Sequence, residues 1–363
     1  MIPQPRSSML ELPEYVPGES NLKGIVDPIK LSSNESALGP SPQALKAYAD
    51  ASAQLHRYPD PDQNELRDAL SSFHNLEVTQ LFCGNGSAEL IQMLIHAYVG
   101  SGDEVLLSEY GFPLYKIFAL SQGATVVTAP EDDCLTNVEE LLNRVTPKTK
   151  LVALANPNNP TGTYLSGNEV RRLYENLPKK VLLLLDEAYA EYVTAEDFES
   201  GLTWAVETEN VVVTRTFSKL FGLASLRIGW MLAPRKVFEI LQRIRITFNA
   251  NGPAMATAVA ALYDFEYTQH VQEHNHVWRE KMSIELKSYG LKVFPSMANF
   301  LLIQFPDDSE ANSEAAAIAL MQNGIIPRPF SVGSPSNCLR ITLGKSHENQ
   351  GVLYTLNKLM QGA

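Results

Sequence analysis

The stretch Val181-Leu-Leu-Leu-Leu-Asp-Glu-Ala-Tyr189 decides the fold. Five aliphatic residues in a row leave no polar face, so this segment reads as a strand buried on both sides, the signature of a parallel sheet covered by helices. Working outward, Leu151 to Ala155 and Val211 to Thr214 read the same way, with shorter runs at Glu104 to Leu107 and Gly123 to Thr128. Helical periodicity separates them at Ala88 to Tyr98 and Glu169 to Leu177. The alternation predicts an α/β fold with a mostly parallel central sheet flanked by helices. In such sheets ligands sit beyond the carboxyl ends of the strands, and those ends are where chemistry is to be sought.

Beyond Gly252 the pattern changes. One long polar-faced helix is expected from Ala254 to Tyr289, then apolar runs at Leu291 to Phe294 and Phe300 to Phe305, an alanine-rich helix around 311–319 and a run at Cys338 to Leu343. This predicts a smaller α+β domain over 253–363, after a large domain over 31–252. Residues 1–30, with prolines at 3, 5, 13, 17 and 28, read as an extended N-terminal arm that needs a partner surface to be ordered.

With 363 residues, 45% of them hydrophobic, the chain can bury a sizeable core. Its net charge of −12 repels phosphate backbones and anionic lipid surfaces, which excludes nucleic acid and membranes as natural partners. Any anionic substrate must then be held by a few well-placed arginines. Three widely spaced cysteines, Cys83, Cys134 and Cys338, with no CxxC pair, favour neither a disulfide framework nor a zinc site and fit a reducing cytoplasm. No signal-like or membrane-length apolar segment is expected.

Four segments carry candidate chemistry. After Leu151 to Ala155 comes Asn156-Pro-Asn-Asn-Pro-Thr-Gly162, a run of turn formers with several amides. After the apolar strand stands Asp186, costly there without a cationic or hydrogen-bonding partner. After Val211 to Thr214 comes Arg215-Thr-Phe-Ser-Lys-Leu-Phe-Gly-Leu-Ala-Ser-Leu-Arg-Ile-Gly229, in which Lys219 lies among hydroxyls and apolar neighbours. A lysine so placed can act as an amine nucleophile that forms Schiff bases, and the hydroxyls with Arg227 suit a phosphate. Upstream, Cys83-Gly-Asn-Gly-Ser-Ala-Glu89 precedes a helix, so its glycines could let backbone approach a phosphate at a positive helix terminus. His270-Val-Gln-Glu-His274 spells a pattern found in some zinc peptidases, but it reads as a polar helical face and no metal is expected.

Taken together, an amine, an acid, ring-oxygen donors and a phosphate cup match the needs of a phosphorylated pyridine cofactor. The chain resembles the fold-type I pyridoxal-phosphate aminotransferases, and within them the histidinol-phosphate aminotransferase branch. The resemblance runs over Leu12-Pro-Glu-Tyr-Val-Pro-Gly18, Asn34-Glu35, Leu38-Gly-Pro-Ser-Pro42, Arg57-Tyr-Pro-Asp60, Gly84-Asn-Gly-Ser87, the Asn156 to Gly162 turn, Asp186 to Tyr189, Phe217-Ser-Lys219 with Arg227, and Leu339-Arg-Ile-Thr342. It implies pyridoxal 5′-phosphate held by Lys219, with Asp186 at the ring nitrogen, Asn159 and Tyr189 at the ring oxygen, and Phe112 stacked on the ring. Gly86, Ser87, Ala88, Thr216, Ser218 and Arg227 would bind the cofactor phosphate, joined by Tyr58 from a neighbouring subunit, which implies a homodimer with shared sites. Arg340 would bind the substrate carboxylate or phosphate, with Asn34, Arg328 and Tyr15 as further substrate contacts. The implied reaction moves an amino group between histidinol phosphate and 2-oxoglutarate, in histidine biosynthesis. Ala88, the Ser36-Ala37 pair and Ser225 depart from the family pattern and loosen the substrate assignment toward the aromatic-amino-acid aminotransferases and phosphoamino-acid decarboxylases of the same fold.

Overall fold

The computed structural model describes residues 3–10, 12–307, 310–330 and 335–362. Strands relevant to the site are β1 (Ile29–Lys30), β2 (Leu81–Gly84), β3 (Glu104–Ser108), β4 (Thr125–Ala129), β5 (Thr149–Ala155), β6 (Leu182–Asp186), β7 (Val211–Thr216), β8 (Gly229–Leu232), β9 (Lys292–Val293), β10 (Phe300–Gln304), β11 (Ile325–Ile326), β12 (Arg328–Pro329) and β13 (Cys338–Thr342). The large sheet has the order β2-β8-β7-β6-β5-β3-β4, with β8 antiparallel to both neighbours and the pairs β7-β6, β6-β5, β5-β3 and β3-β4 parallel.

The sheet is buried on both faces as its aliphatic runs demand. Alternate residues enter opposite cores: Leu183, Leu185, Val211 and Val213 go to one, Leu182, Leu184 and Val212 to the other. Register brings the strand ends level, with Asp186 opposite both Ala155 and Thr214, and Gly229 opposite Thr216 and Gly84. The chemistry-bearing turns therefore share one edge of the sheet.

The smaller sheet is antiparallel, β9-β10-β13-β12, and packs Leu301, Ile303, Leu339 and Ile341 against Trp278, Met282, Leu286 and Leu356 in a third core. β1 pairs in parallel with β11 as a separate two-stranded sheet, Ile29 opposite Ile325 and Lys30 opposite Ile326. The arm includes a helical turn at Ser7–Leu10, where Arg6 Nη2 donates to Ser121 O at 3.2 Å, and leaves Val16 and Val26 exposed.

The expected single helix over Ala254 to Tyr289 is corrected to two: Gly252–Leu262 and Phe265–Ser288. The first is apolar and buries Ala254, Met255, Ala258 and Leu262 in the large-sheet core, while the second buries Trp278, Met282 and Leu286 in the third. The second helix starts against the large-sheet core through Tyr267 and Val271 before passing to the third, and the break at Tyr263-Asp264 redirects the chain between the two. Among the described residues no helix is long and apolar enough to cross a membrane.

Candidate active site

Gly84 ends β2, and the helix Ser87–Tyr98 begins two residues after Asn85 with Gly86 as its N-cap at φ 82°. No side chain caps this terminus, so its first amides point outward unsatisfied by the helix itself. A Cβ on Gly86 would sit 2.4 Å from Arg227 Nη2, and one on Gly229 would sit 2.5 Å from Ser87 N. Glycine lets the guanidinium, the turn and the helix terminus converge more closely than any side chain would permit. Arg227, itself left-handed at φ 52°, donates from Nη1 to Ser218 Oγ at 3.3 Å, and Ser218 N donates to Thr216 Oγ1 at 3.1 Å. This cradle of amides, hydroxyls and one guanidinium fits a phosphate.

Asp186 is buried, which pushes its carboxyl pKa up; Tyr115 Oη donates to Oδ2 at 2.6 Å and Thr214 Oγ1 to Oδ1 at 3.2 Å, opposing that shift. Neither donor was among the expected site residues. Both had a signal in the sequence: Tyr115 lies one helical turn beyond Phe112, and Thr214 two residues before Thr216 on the same strand face.

Lys219 follows β7. Its amine donates to Ser33 O and Asn34 O, each at 3.1 Å, and lies 5.6 Å from the Tyr189 ring centroid. Burial, with Arg340 and Arg227 nearby, outweighs Glu35 and Asp186 and lowers its pKa from 10.5 to about 7. A large fraction of this amine is therefore neutral and nucleophilic near neutral pH.

Arg340, on β13, is buried; Nη2 donates to Ser32 O at 2.7 Å, Nη1 to Asn159 Oδ1, and Nε has no partner among the described residues. Burial and the neighbouring Arg328 bring its pKa down from 12.5 to about 10, a guanidinium short of counter-charge. Asn159 thus joins Lys219's neighbourhood through Arg340. Arg328 Nη2 donates to Val16 O at 2.6 Å, and the adjacent Tyr15 meets Phe112 edge-on at 6.5 Å between centroids. The arm accordingly ties Arg328 to the Phe112 side of the site.

Asn34 is 1% exposed, with its side chain bonded inward to Tyr189 and Thr342. Ala88 contributes only backbone at the helix start, as its methyl side chain requires. Tyr58 is 81% exposed and stacks on Phe248 at 4.5 Å between centroids. In the His270 to His276 segment, His274 Nε2 lies 2.9 Å from Gly344 O and His276 Nδ1 3.1 Å from Arg279 Nη2; among the described residues no group of three or more potential ligands is placed to hold a metal.

The cradle, the acid and the low-pKa amine together fit pyridoxal phosphate: a phosphate, a pyridine nitrogen and a carbonyl carbon each find a matching group. Comparisons with known proteins agree. The model of the family "Aminotransferase class I and II" matches residues 26–357. The chain is 44% identical to a histidinol-phosphate aminotransferase of Paramagnetospirillum magneticum and 42% identical to one of Maricaulis maris, in both cases over 99% of each chain. It superposes on the crystal structure of histidinol-phosphate aminotransferase from Sinorhizobium meliloti in complex with pyridoxal-5′-phosphate with a TM-score of 0.90 at 28% identity, covering 100% of this chain and 99% of that one. An amine, an acid and a phosphate cradle on one edge of a mostly parallel sheet, together with a family match spanning nearly the whole chain, place it in the class I and II aminotransferase family.

Proposed function

We propose that the chain is a pyridoxal-phosphate-dependent aminotransferase that exchanges the amino group between histidinol phosphate and 2-oxoglutarate, a step of histidine biosynthesis. The observation that carries this reading is the half-buried Lys219 amine, seated on two carbonyls beside the under-compensated Arg340, with relatives of that name matching over the full length. One arginine can serve both half-reactions, because its planar fork accepts a carboxylate or a phosphate bidentately.

When bound, pyridoxal phosphate supplies a carbonyl carbon for amines and an electron sink for the pair left on Cα. The residues do the rest. Gly86, Ser87, Ala88, Thr216, Ser218 and Arg227 would hold the phosphate, and Phe112 would cover the ring. Asp186, accepting hydrogen bonds from Tyr115 and Thr214, would hold a proton on the pyridine nitrogen. Tyr189 and Asn159 would serve the ring oxygen. Lys219 Nζ moves a proton from substrate Cα to the cofactor's C4′. Arg340 orients the substrate anion, with Arg328 and Tyr15 toward the phosphate end of histidinol phosphate. A panel of donors against 2-oxoglutarate tests the assignment: histidinol phosphate is expected to give the highest kcat/KM, and a preference for phenylalanine or tyrosine, or release of carbon dioxide from a phosphoamino acid, contradicts it.

Because the amine must be neutral to capture a carbonyl, uptake of pyridoxal phosphate by the apoenzyme should rise about tenfold per pH unit below 7 and level off above it. Stopped-flow absorbance reads this directly, and an inflection near the ordinary lysine value of 10.5 contradicts the lowered pKa.

The active form is read as a cytoplasmic homodimer. Exposed Leu55, Tyr58 and Ile246 support the dimer, and three buried free thiols suit a reducing compartment. Sedimentation at assay concentration should give twice the chain mass; full activity in a monomer would refute shared sites.

A further inference from the structure

Resting on that reading, we propose that Thr342 is a positioning residue for amino transfer: its hydroxyl sets the direction of the hydrogen bonds that run through Asn34 to the phenol of Tyr189. Thr342 closes β13, two residues after Arg340, and its backbone N donates to Leu31 O at 3.0 Å, which pins the incoming chain alongside. Three residues on, Asn34 turns left-handed at φ 56° and is 1% exposed. Its backbone N donates to Thr342 Oγ1 at 2.9 Å. The hydroxyl, having accepted that hydrogen, spends its own single hydrogen on Asn34 Oδ1 at 3.1 Å.

The orientation of the Asn34 amide follows. With Oδ1 turned to Thr342, Nδ2 faces Tyr189 and donates to its Oη at 2.9 Å. A phenol oxygen that accepts from Asn34 keeps its own proton for another acceptor, and none is present among the described residues. That proton is therefore directed at the ligand, as a donor to the ring oxygen must be. The Asn34 backbone carries a second consequence, since its carbonyl is one of the two that seat the Lys219 amine and also accepts from Asn299 Nδ2 at 3.2 Å. Thr342 thus orients the Tyr189 phenol without touching it, while the Asn34 carbonyl that seats Lys219 is held separately by Asn299.

Removing the hydroxyl in Thr342→Val frees the Asn34 amide to turn over, so that Tyr189 donates to Oδ1 instead of to the ligand. The expected result is a fall of about 10- to 100-fold in kcat with KM for glutamate changed less than about threefold, and a cofactor affinity, read from chromophore titration of the apoenzyme, weaker by about tenfold. Thr342→Ser keeps the hydroxyl and should stay within about threefold of wild type on both readouts. In a Tyr189→Phe background, Thr342→Val should change kcat by less than about twofold, because the group it orients is gone. A merely structural threonine predicts the opposite: an undiminished effect in the Tyr189→Phe background, or equal impairment by serine and valine. Either result overturns the proposal, as does a Thr342→Val enzyme with wild-type kcat and cofactor affinity. Turnover by the wild-type protein in the same assay reports separately on the aminotransferase reading.

Discussion

Lys219→Ala lowers the rate constant for amino transfer by at least about 10⁴-fold, the largest effect expected of any single replacement in this protein. One amine performs two tasks. It captures the cofactor, for which it must be neutral, and it moves the proton between two carbon atoms, for which it must return to the same place in each half-reaction. Burial supplies the first property, with a pKa lowered to about 7, and the paired carbonyls of Ser33 and Asn34 supply the second. Alanine leaves the phosphate cradle of Gly86, Ser87 and Arg227 untouched, so the variant should still bind pyridoxal phosphate while failing to shift its absorbance. Measured turnover within about 100-fold of wild type would show that another base does this work. Arginine at the same position keeps a positive charge but no neutral amine, and should be as inactive as alanine.

Arg340→Gln is expected to lower kcat/KM by about 10²- to 10³-fold for glutamate and for histidinol phosphate alike, while cofactor uptake changes little. Two charge-assisted hydrogen bonds to the substrate anion are lost, each worth about 1.5–3 kcal/mol in a buried site, and part of that loss is recovered by water. Equal loss for both donors is the diagnostic feature, because it says that a carboxylate and a phosphate use one guanidinium. Lysine at this position keeps charge without the planar fork and should recover only part of the activity. Arg340 also holds Ser32 O and Asn159 Oδ1, so a thermal melt of the variant separates a binding defect from unfolding. Loss confined to glutamate would assign the phosphate to Arg328 instead.

Much of this was readable from residue order because the physics is local. An unbroken aliphatic run such as Val181 to Leu185 can only be satisfied by burial on both faces, and a carboxylate at its end needs partners. Lys219, Asp186 and the glycine cradle follow from such rules. What escaped was set by packing across long sequence separations. Thr214 meets Asp186 because register levels the ends of β6 and β7, Tyr115 reaches it from the helix Pro113–Ser121 across 71 residues, and Thr342 meets Asn34 across 308 residues of chain. The break at Tyr263-Asp264 escaped for a related reason: helical periodicity continues through it, and only the redirection of the chain between two cores ends one helix and starts the next.

A ping-pong aminotransferase takes nitrogen from one substrate and gives it to the other in two separate half-reactions. The direct measurement loads the protein with pyridoxal phosphate, adds ¹⁵N-glutamate alone, removes free small molecules by gel filtration and then adds imidazole-acetol phosphate. Close to one equivalent of ¹⁵N-histidinol phosphate per site is the expected product. Protein that retains no ¹⁵N, or histidinol phosphate that forms only while glutamate is still present, would contradict it.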